Sequence, residues 1–470
     1  MAFHDLTRGS IPRLLVMLAL PIFGSFVLQS LYSLADLYFV GLLGGEQLAG
    51  LGIALNSFFL VLALGQSMGI GALALLSRAY GAKQTDKVPE VFRQSMLLVL
   101  VLGGFCWVGG YYSAEAYFSL QTSDPLVMAY GTAYFRIYVA TFLFQLFLMV
   151  NGYARRALGD FLTPTLLMST SVLINLAMDP ILIFGWGPIP AMGIEGAAWA
   201  TVGSQVVSAS VYLWLIFGSR RNSLLVLRGL PKPHWPTIAK ILAIGVPSGG
   251  QFVLFSAMNL IMYGYVKPFG ADATAAVAVG FRVIHSAILP AVAICAAISS
   301  VVGQNYGSRN WPRMRAGVLW GGLYAFGLLG FEYFVIWVNP GFWMGLFSES
   351  PGIIAWGSDY LIINGLAMPV FSVGMAVIFG MQGMGKTMMP LFAMVARFGG
   401  FVLLLFLLNA AAMLTLHGVF WVNAGAMLLE TLIMVGFAAF VAGGLKKELA
   451  SPVPPPVEST PAAHWQEDVV

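Results

Sequence analysis

Residues 18–28 read Leu-Ala-Leu-Pro-Ile-Phe-Gly-Ser-Phe-Val-Leu, and residues 244–254 read Ile-Gly-Val-Pro-Ser-Gly-Gly-Gln-Phe-Val-Leu. Pro21 and Pro247 stand 226 positions apart, and so do Phe26-Val27-Leu28 and Phe252-Val253-Leu254. The same offset carries Gly44 onto Gly270, Tyr80-Gly81 onto Tyr306-Gly307, Gly159 onto Gly385 and Pro164 onto Pro390. A single gapless offset running through five apolar segments makes the chain two copies of one unit. Each copy holds about six such segments. An even number starts both copies on the same side of a membrane, so the repeat is parallel, and its two lobes are related by an axis along the membrane normal. Transporters are built this way, with a substrate path between the lobes.

Composition leads to the same class. Of 470 residues, 59% are hydrophobic and 9% charged, against about 45–50% and about 25% in soluble domains. So few charges cannot cover so much apolar surface in water, and the hydrophobicity is too high for a disordered chain. The apolar runs are long and unbroken rather than alternating, which excludes an outer-membrane barrel. Cys106 and Cys295 both lie in apolar stretches and read as small buried hydrophobes. The chain lacks HExxH and paired-cysteine motifs; Gly380–Thr387 fits the Walker spacing and Gly65–Gly69 the GxSxG spacing, but both continue apolar spans instead of following the strand that a phosphate loop or a nucleophile elbow requires. It therefore reads as a non-enzyme with no ATP site and no cofactor, driven by an ion gradient or by a partner protein.

Twelve spans are expected, near 14–40, 48–76, 94–114, 130–154, 162–186, 194–217, 238–266, 274–302, 315–338, 355–380, 388–410 and 414–443. They group into an N-terminal lobe over 1–218, a basic cytoplasmic linker over 219–237, a C-terminal lobe over 238–445 and a disordered tail over 446–470. Lysine and arginine collect in alternate connections: Arg8 and Arg13, then Arg78, Lys83, Lys87 and Arg93, then Arg155 and Arg156, then the linker, then Arg309, Arg313 and Arg315, then Lys386, then Lys446 and Lys447. Lys267 is the exception on the other side. The bias places both termini in the cytoplasm of a cell with this chain in its inner membrane.

Carboxylates at membrane depth are costly and mark function. Asp36 lies in span one with Tyr32 one turn before it, and Asp179 lies in span five with Asn175 one turn before it. Pro180 removes an N–H and frees a carbonyl in the preceding turn. A carboxyl group taken out of water favours its neutral form, and a second nearby reinforces this. The pair would thus hold protons and release them when hydrated. With Asn175 and Thr201 the same residues instead offer hard oxygen ligands for a small cation such as Na+. The offset carries Asp36 onto Met262 and Asp179 onto Leu405, so ion coupling belongs to the first lobe alone. Arg282, His285, Arg397, Glu332 and Glu430 read as residues that snorkel, pair at the lobe interface or meet a water, each glutamate standing alone in its span. Phe142, Gln145, Met149, Asn151, Met258, Met262 and Phe371 are candidates for an adaptable apolar substrate cavity. Pro21 is a candidate hinge in span one.

Several stretches resemble the multidrug and toxic compound extrusion (MATE) family over residues 8–445. They are Leu20-Pro21, Ala35-Asp36-Leu37-Tyr38-Phe39-Val40-Gly41, Arg156-Ala157-Leu158-Gly159-Asp160 with Thr163-Pro164, Leu173-Ile174-Asn175-Leu176-Ala177-Met178-Asp179-Pro180, Gly196-Ala197-Ala198-Trp199-Ala200-Thr201, and the echoes Tyr306-Gly307 and Gln382-Gly383-Met384-Gly385. The resemblance implies an all-α, twelve-helix, V-shaped antiporter that exports amphipathic or cationic compounds against protons or sodium. Its cation or proton site falls on Asp36, Asn175, Asp179 and Thr201. The absence of second-lobe acids in spans seven and ten is similar to the DNA-damage-inducible branch of the family. The partners implied are a drug-like small molecule and the lipid bilayer, with no nucleic acid and a monomeric chain. Two alternatives stay open: a flippase for a lipid-linked precursor, with Arg282 and Arg397 as the cationic candidates, and a membrane scaffold or receptor that transports nothing.

Overall fold

In hydrocarbon every backbone N–H and C=O must find its partner within the chain, and a run of apolar residues does this as a helix. The computed structural model describes residues 3–218, 224–225 and 232–450, and among them the chain is helical throughout with no strand. Its helices are α1 (Ile11–Gly41), α2 (Gly45–Asn56), α3 (Phe58–Gly81), α4 (Lys87–Ser119), α5 (Pro125–Tyr138), α6 (Ala140–Ala157), α7 (Leu162–Phe184), α8 (Ile194–Gly218), α9 (Trp235–Val266), α10 (Ala271–Gly307), α11 (Trp311–Val338), α12 (Pro340–Gly345), α13 (Pro351–Gly383), α14 (Met388–Ala410) and α15 (Leu416–Ala450). Helices α2 and α3 run on as one span, and α5 and α6 form another, bent by 42°. With these pairings the described residues hold twelve spans. Most of the expected linker, 219–223 and 226–231, and the tail beyond 450 lie outside the described residues. Helix α9 already starts at Trp235, and α15 runs past the expected lobe boundary at 445.

Two apolar cores form, but they do not divide where the repeat does. One gathers Val40, Leu51, Phe92, Phe118, Tyr134 and Ile183 from the first copy, together with Ile241 from the start of α9. The other gathers Ile298, Met344, Phe401 and Phe420 from the second copy, together with Leu6, Ile11, Leu15, Leu18 and Ile22 from the start of the chain. The first halves of α1 and α9 are thus exchanged, each packing into the core of the other copy.

The exchange follows from how closely the copies approach at the basic end. A Cβ on Gly81 would fall 1.9 Å from the Gln304 carbonyl oxygen, and one on Gly307 would fall 2.1 Å from the Arg78 carbonyl oxygen. Gly307 is Gly81 moved by the offset, and Gln304 is Arg78 moved by it, so the contact is reciprocal about the pseudo-axis. A Cβ on Gly245 would fall 1.7 Å from the Ser67 carbonyl oxygen of α3. Only hydrogen fits at such positions. From the Phe59–Phe252 ring contact at 6.2 Å down to these glycines, the copies meet in a continuous seam.

The N-terminal segment ties the seam shut. The His4 N–H donates to the Leu158 carbonyl oxygen (3.1 Å) in the first copy. The Leu6 N–H donates to Gln304 Oε1 (2.8 Å), and Gln304 Nε2 donates to the Ala157 carbonyl oxygen (2.8 Å). Arg313 donates to the carbonyls of Leu6, Arg8 and Gly9. Gln304 is fully buried. Gln304→Leu strands the Leu6 N–H and the Ala157 carbonyl, at about 1–3 kcal/mol for each buried group left unpaired. We expect the variant to insert normally and to melt several degrees lower in detergent. An unchanged melting temperature would remove this residue from the tie.

Candidate functional site

The first-copy site is built where α1, α5, α7 and α8 converge. Asp36 of α1 is 6% exposed, Asn175 and Asp179 of α7 are 2% and 0% exposed, and Thr201 of α8 is 7% exposed. Asn175 and Asp179 share a face of α7 because they stand one turn apart. The hydrogen-bond network sets the Asn175 amide so that its nitrogen donates to Asp179 Oδ2 (3.0 Å) and its oxygen accepts from the Thr201 N–H (3.0 Å). The Thr201 hydroxyl donates to the Ala197 carbonyl oxygen (3.0 Å), one turn back in α8. Tyr32 reaches across from α1 toward the Thr201 side chain. Asp36 lies within electrostatic reach of Asp179, Tyr32, Tyr134 and Tyr138. Asn175, Asp179 and Thr201 are thus joined by hydrogen bonds, and Asp36 and Tyr32 of α1 lie within electrostatic reach of Asp179 inside an apolar lobe.

Two features of the cluster give it chemical capacity. Asp36 Oδ1 and Asp179 Oδ1 are buried without a hydrogen-bond partner among the described residues. A buried ionised carboxylate needs a proton, a cation or several donors to offset its lost hydration. The Asn175 orientation also commits its oxygen to Thr201, which leaves carboxylate and hydroxyl oxygens as the free ligands. Among the described residues no group of three or more His, Cys, Asp or Glu side chains is placed to hold a metal ion.

Sequence reasoning missed Tyr134 and Tyr138 of α5. They stack on each other (centroids 5.3 Å apart) and supply the aromatic wall beside Asp36. Their one-turn spacing inside an apolar helix was a signal available from the sequence. The substrate-cavity candidates separate. Phe142 and Asn151 pack within the first core, Asn151 donating to the Phe147 carbonyl oxygen (2.8 Å). Gln145 accepts from Gln205 (3.1 Å), and Met149 covers Gly65. Met258, Met262 and Phe371 instead line a cavity in the second copy. Pro21 lies inside α1, where it removes one helical N–H.

The charges expected to stand alone need correction. Glu430 of α15 pairs with Arg397 of α14 at 2.7 Å, with both side chains no more than 5% exposed. Two opposite charges in one apolar lobe offset each other's desolvation, which neither could bear alone. Glu332 keeps one buried oxygen without a partner among the described residues, so for it the expectation stands. Arg136, absent from the charge alternation above, pairs with Glu115 at 2.7 Å. Asp160 holds the start of α7 in place, accepting from Arg155 (3.0 Å) and from the Thr163 N–H (3.0 Å).

Comparison with known proteins agrees with this arrangement. The MatE family profile matches residues 21–181 and again 247–408, the two copies at the same offset. The chain is 25% identical over 377 residues to a probable multidrug resistance protein NorM of Thermotoga maritima, covering 80% of this chain and 81% of that protein. It is 26% identical over 384 residues to an FAD transporter of Shewanella oneidensis, covering 80% and 82%. A solved outward-facing multidrug resistance MATE family transporter superposes with a TM-score of 0.86 at 23% identity, covering 95% of this chain and 99% of that one. Twelve helical spans in two exchanged copies, matched one after the other by a single family profile, place the chain in the multidrug and toxic compound extrusion family of membrane transporters.

Proposed function

We propose that the protein is a proton-coupled antiporter that exports amphipathic or cationic compounds, with Asp36 and Asp179 as its coupling residues. The reading rests above all on one observation: two buried carboxylates with unpartnered oxygens share a single cluster in one copy, and the offset replaces both by Met262 and Leu405 in the other. The relatives' names support export of multiple drugs, and the FAD transporter among them widens the substrate chemistry the family can carry. The arginines and lysines crowd the end of the bundle that the seam closes. The positive-inside rule assigns that end, and both termini, to the cytoplasm. The structure is then shut on the cytoplasmic side. Protonation of the cluster removes charge from the lobe and favours the conformation in which it is dry. Substrate favours the opposite one. A gradient of one pH unit supplies about 1.4 kcal/mol per proton, a tenfold bias. The flippase alternative loses support because Arg397 is neutralised by Glu430.

The test imposes proton and sodium gradients separately on proteoliposomes loaded with a cationic dye. Dye movement with the proton gradient alone is expected. Movement with sodium alone would shift the reading to Na+ held by Asp36, Asp179, Asn175 and Thr201. Movement with neither would end it.

A further inference from the structure

Asp36 and Asp179 belong to the coupling cluster and Glu430 is paired with Arg397, which leaves Glu332 of α11 as a carboxylate at membrane depth without a role. Moved back by 226 positions it becomes Cys106, so the second copy alone carries this charge. Leu329 and Ile336, one turn to either side on the same face of α11, are buried, whereas Phe331, Phe334 and Val335 are exposed. Glu332 therefore sits at the edge where packed protein meets the lipid-facing surface. It stands six residues before the end of α11 at Val338, about 9 Å along the helix axis. Because α11 starts at the basic end, this is the outer half of the membrane.

Glu332 lines a small cavity with Ile284 and Ala287 of α10, Tyr333 of α11, and Leu361 and Met368 of α13. No lysine, arginine or histidine lines it. The Tyr333 hydroxyl is turned away to the Ile362 carbonyl oxygen (3.4 Å), so it leaves the carboxylate without a donor. Glu332 Oε2 is buried with no partner among the described residues, while the residue as a whole is only part-buried. The charge of a carboxylate is shared by both oxygens, so a cation that meets the more open one neutralises the group. At this depth an unpaired charge is costly and is offset by a proton or a cation. The cavity measures about 20 Å³. One water-sized group takes about 10–15 Å³ on this measure, so the space admits one such group and little more. An –NH3+ group, with one heavy atom and three donors, fits; a trimethylammonium group, with four heavy atoms and no donor, does not.

We propose that the Glu332 cavity is a binding site, entered from the bilayer, for the ammonium group of a long-chain primary amine whose alkyl chain lies along the exposed apolar face of α11. Charge complementarity selects the head group, and the size of the cavity selects a primary amine over a quaternary one. An aminophospholipid brings a phosphate beside its amine, which the carboxylate repels, so the occupant is the free amine. Such compounds fall within the amphipathic cations of the export reading, but this site stands apart from the Asp36 cluster, and binding to it needs neither a gradient nor that reading.

The test is equilibrium binding of radiolabelled dodecylamine at pH 7 to the purified full chain in phosphatidylcholine nanodiscs, with empty discs subtracted. Dodecanol, which lacks the charge, and dodecyltrimethylammonium, which has the charge on a larger head, are the controls. Dodecylamine is expected to bind the parent at least about tenfold more tightly than either, the effect of one charged hydrogen bond. Glu332→Gln should remove that advantage. Ala287→Leu, which fills the cavity and leaves the carboxylate in place, should weaken dodecylamine by a similar factor in a protein that remains monodisperse. Adding phosphatidylethanolamine to the discs should leave dodecylamine affinity unchanged. Dodecylamine binding indifferent to Glu332→Gln or to Ala287→Leu, or equal binding of the trimethyl compound, would overturn the proposal. Displacement of dodecylamine by phosphatidylethanolamine would overturn its assignment to a free amine. Because no ion gradient enters the assay, these outcomes are independent of whether Asp36 and Asp179 couple transport.

Discussion

Asp36→Asn is expected to abolish gradient-driven export while leaving the protein folded and inserted. Asparagine keeps the shape and hydrogen-bonding capacity of the carboxyl group but cannot exchange a proton. Asp36 is buried with one oxygen unpartnered, so the loss of its charge relieves rather than damages the lobe. In vesicles carrying a gradient of one pH unit, the parent should accumulate dye about tenfold per proton exchanged, and the variant should approach a ratio of one. Dye should still bind the purified variant, because only the coupling is removed. Wild-type accumulation by Asp36→Asn at equal protein level would force the coupling site elsewhere, with Glu332 the next candidate.

The second large effect is conformational. Gly245→Ala places a methyl group 1.7 Å from the Ser67 carbonyl oxygen, where nothing flexible can give way. Helices α3 and α9 must part for the methyl to fit, so the closed seam is penalised and the state open at the basic end is not. Overpacking of this kind costs about 1–3 kcal/mol, which shifts a two-state equilibrium roughly 5- to 150-fold. Ser77 is fully buried in the seam against Gly303, so Ser77→Cys in a background with Cys106→Ala and Cys295→Ala reports its opening. That cysteine should be almost unreactive to a polar maleimide when Gly245 is present and should react many times faster in Gly245→Ala. A cysteine equally protected in both would mean that the seam tolerates the methyl and is not the gate.

Much of this was legible because a repeat is written in sequence positions. The offset of 226 alone yields two copies, six spans each, and the chemical asymmetry of Asp36 against Met262. The exchange of α1 and α9 was not legible. Hydropathy marks Leu15 and Ile241 as membrane residues but says nothing of which copy they touch, since each faces apolar surroundings either way. The Asp36 cluster was legible from charge in hydrocarbon and one-turn spacing. Tyr134 and Tyr138 escaped because aromatic residues in a span usually pack or face lipid. The Arg397–Glu430 pair escaped for a different reason. Its members sit on different helices, and the offset carries them to Ser171 and Ser204, so the repeat gave no hint of it. The rule that a buried charge needs a counter-charge would have joined them.

In the proposed mechanism Asp36 and Asp179 act together as one exchangeable proton site that substrate binding discharges. The direct measurement is the pH change when a cationic export substrate is added to concentrated purified protein in weakly buffered detergent solution, with no gradient present. The parent should release protons in proportion to substrate bound, and Asp36→Asn with Asp179→Asn should bind substrate and release none. Proton release of the same size from the double variant, or none from the parent at saturating substrate, would contradict a first-lobe coupling site.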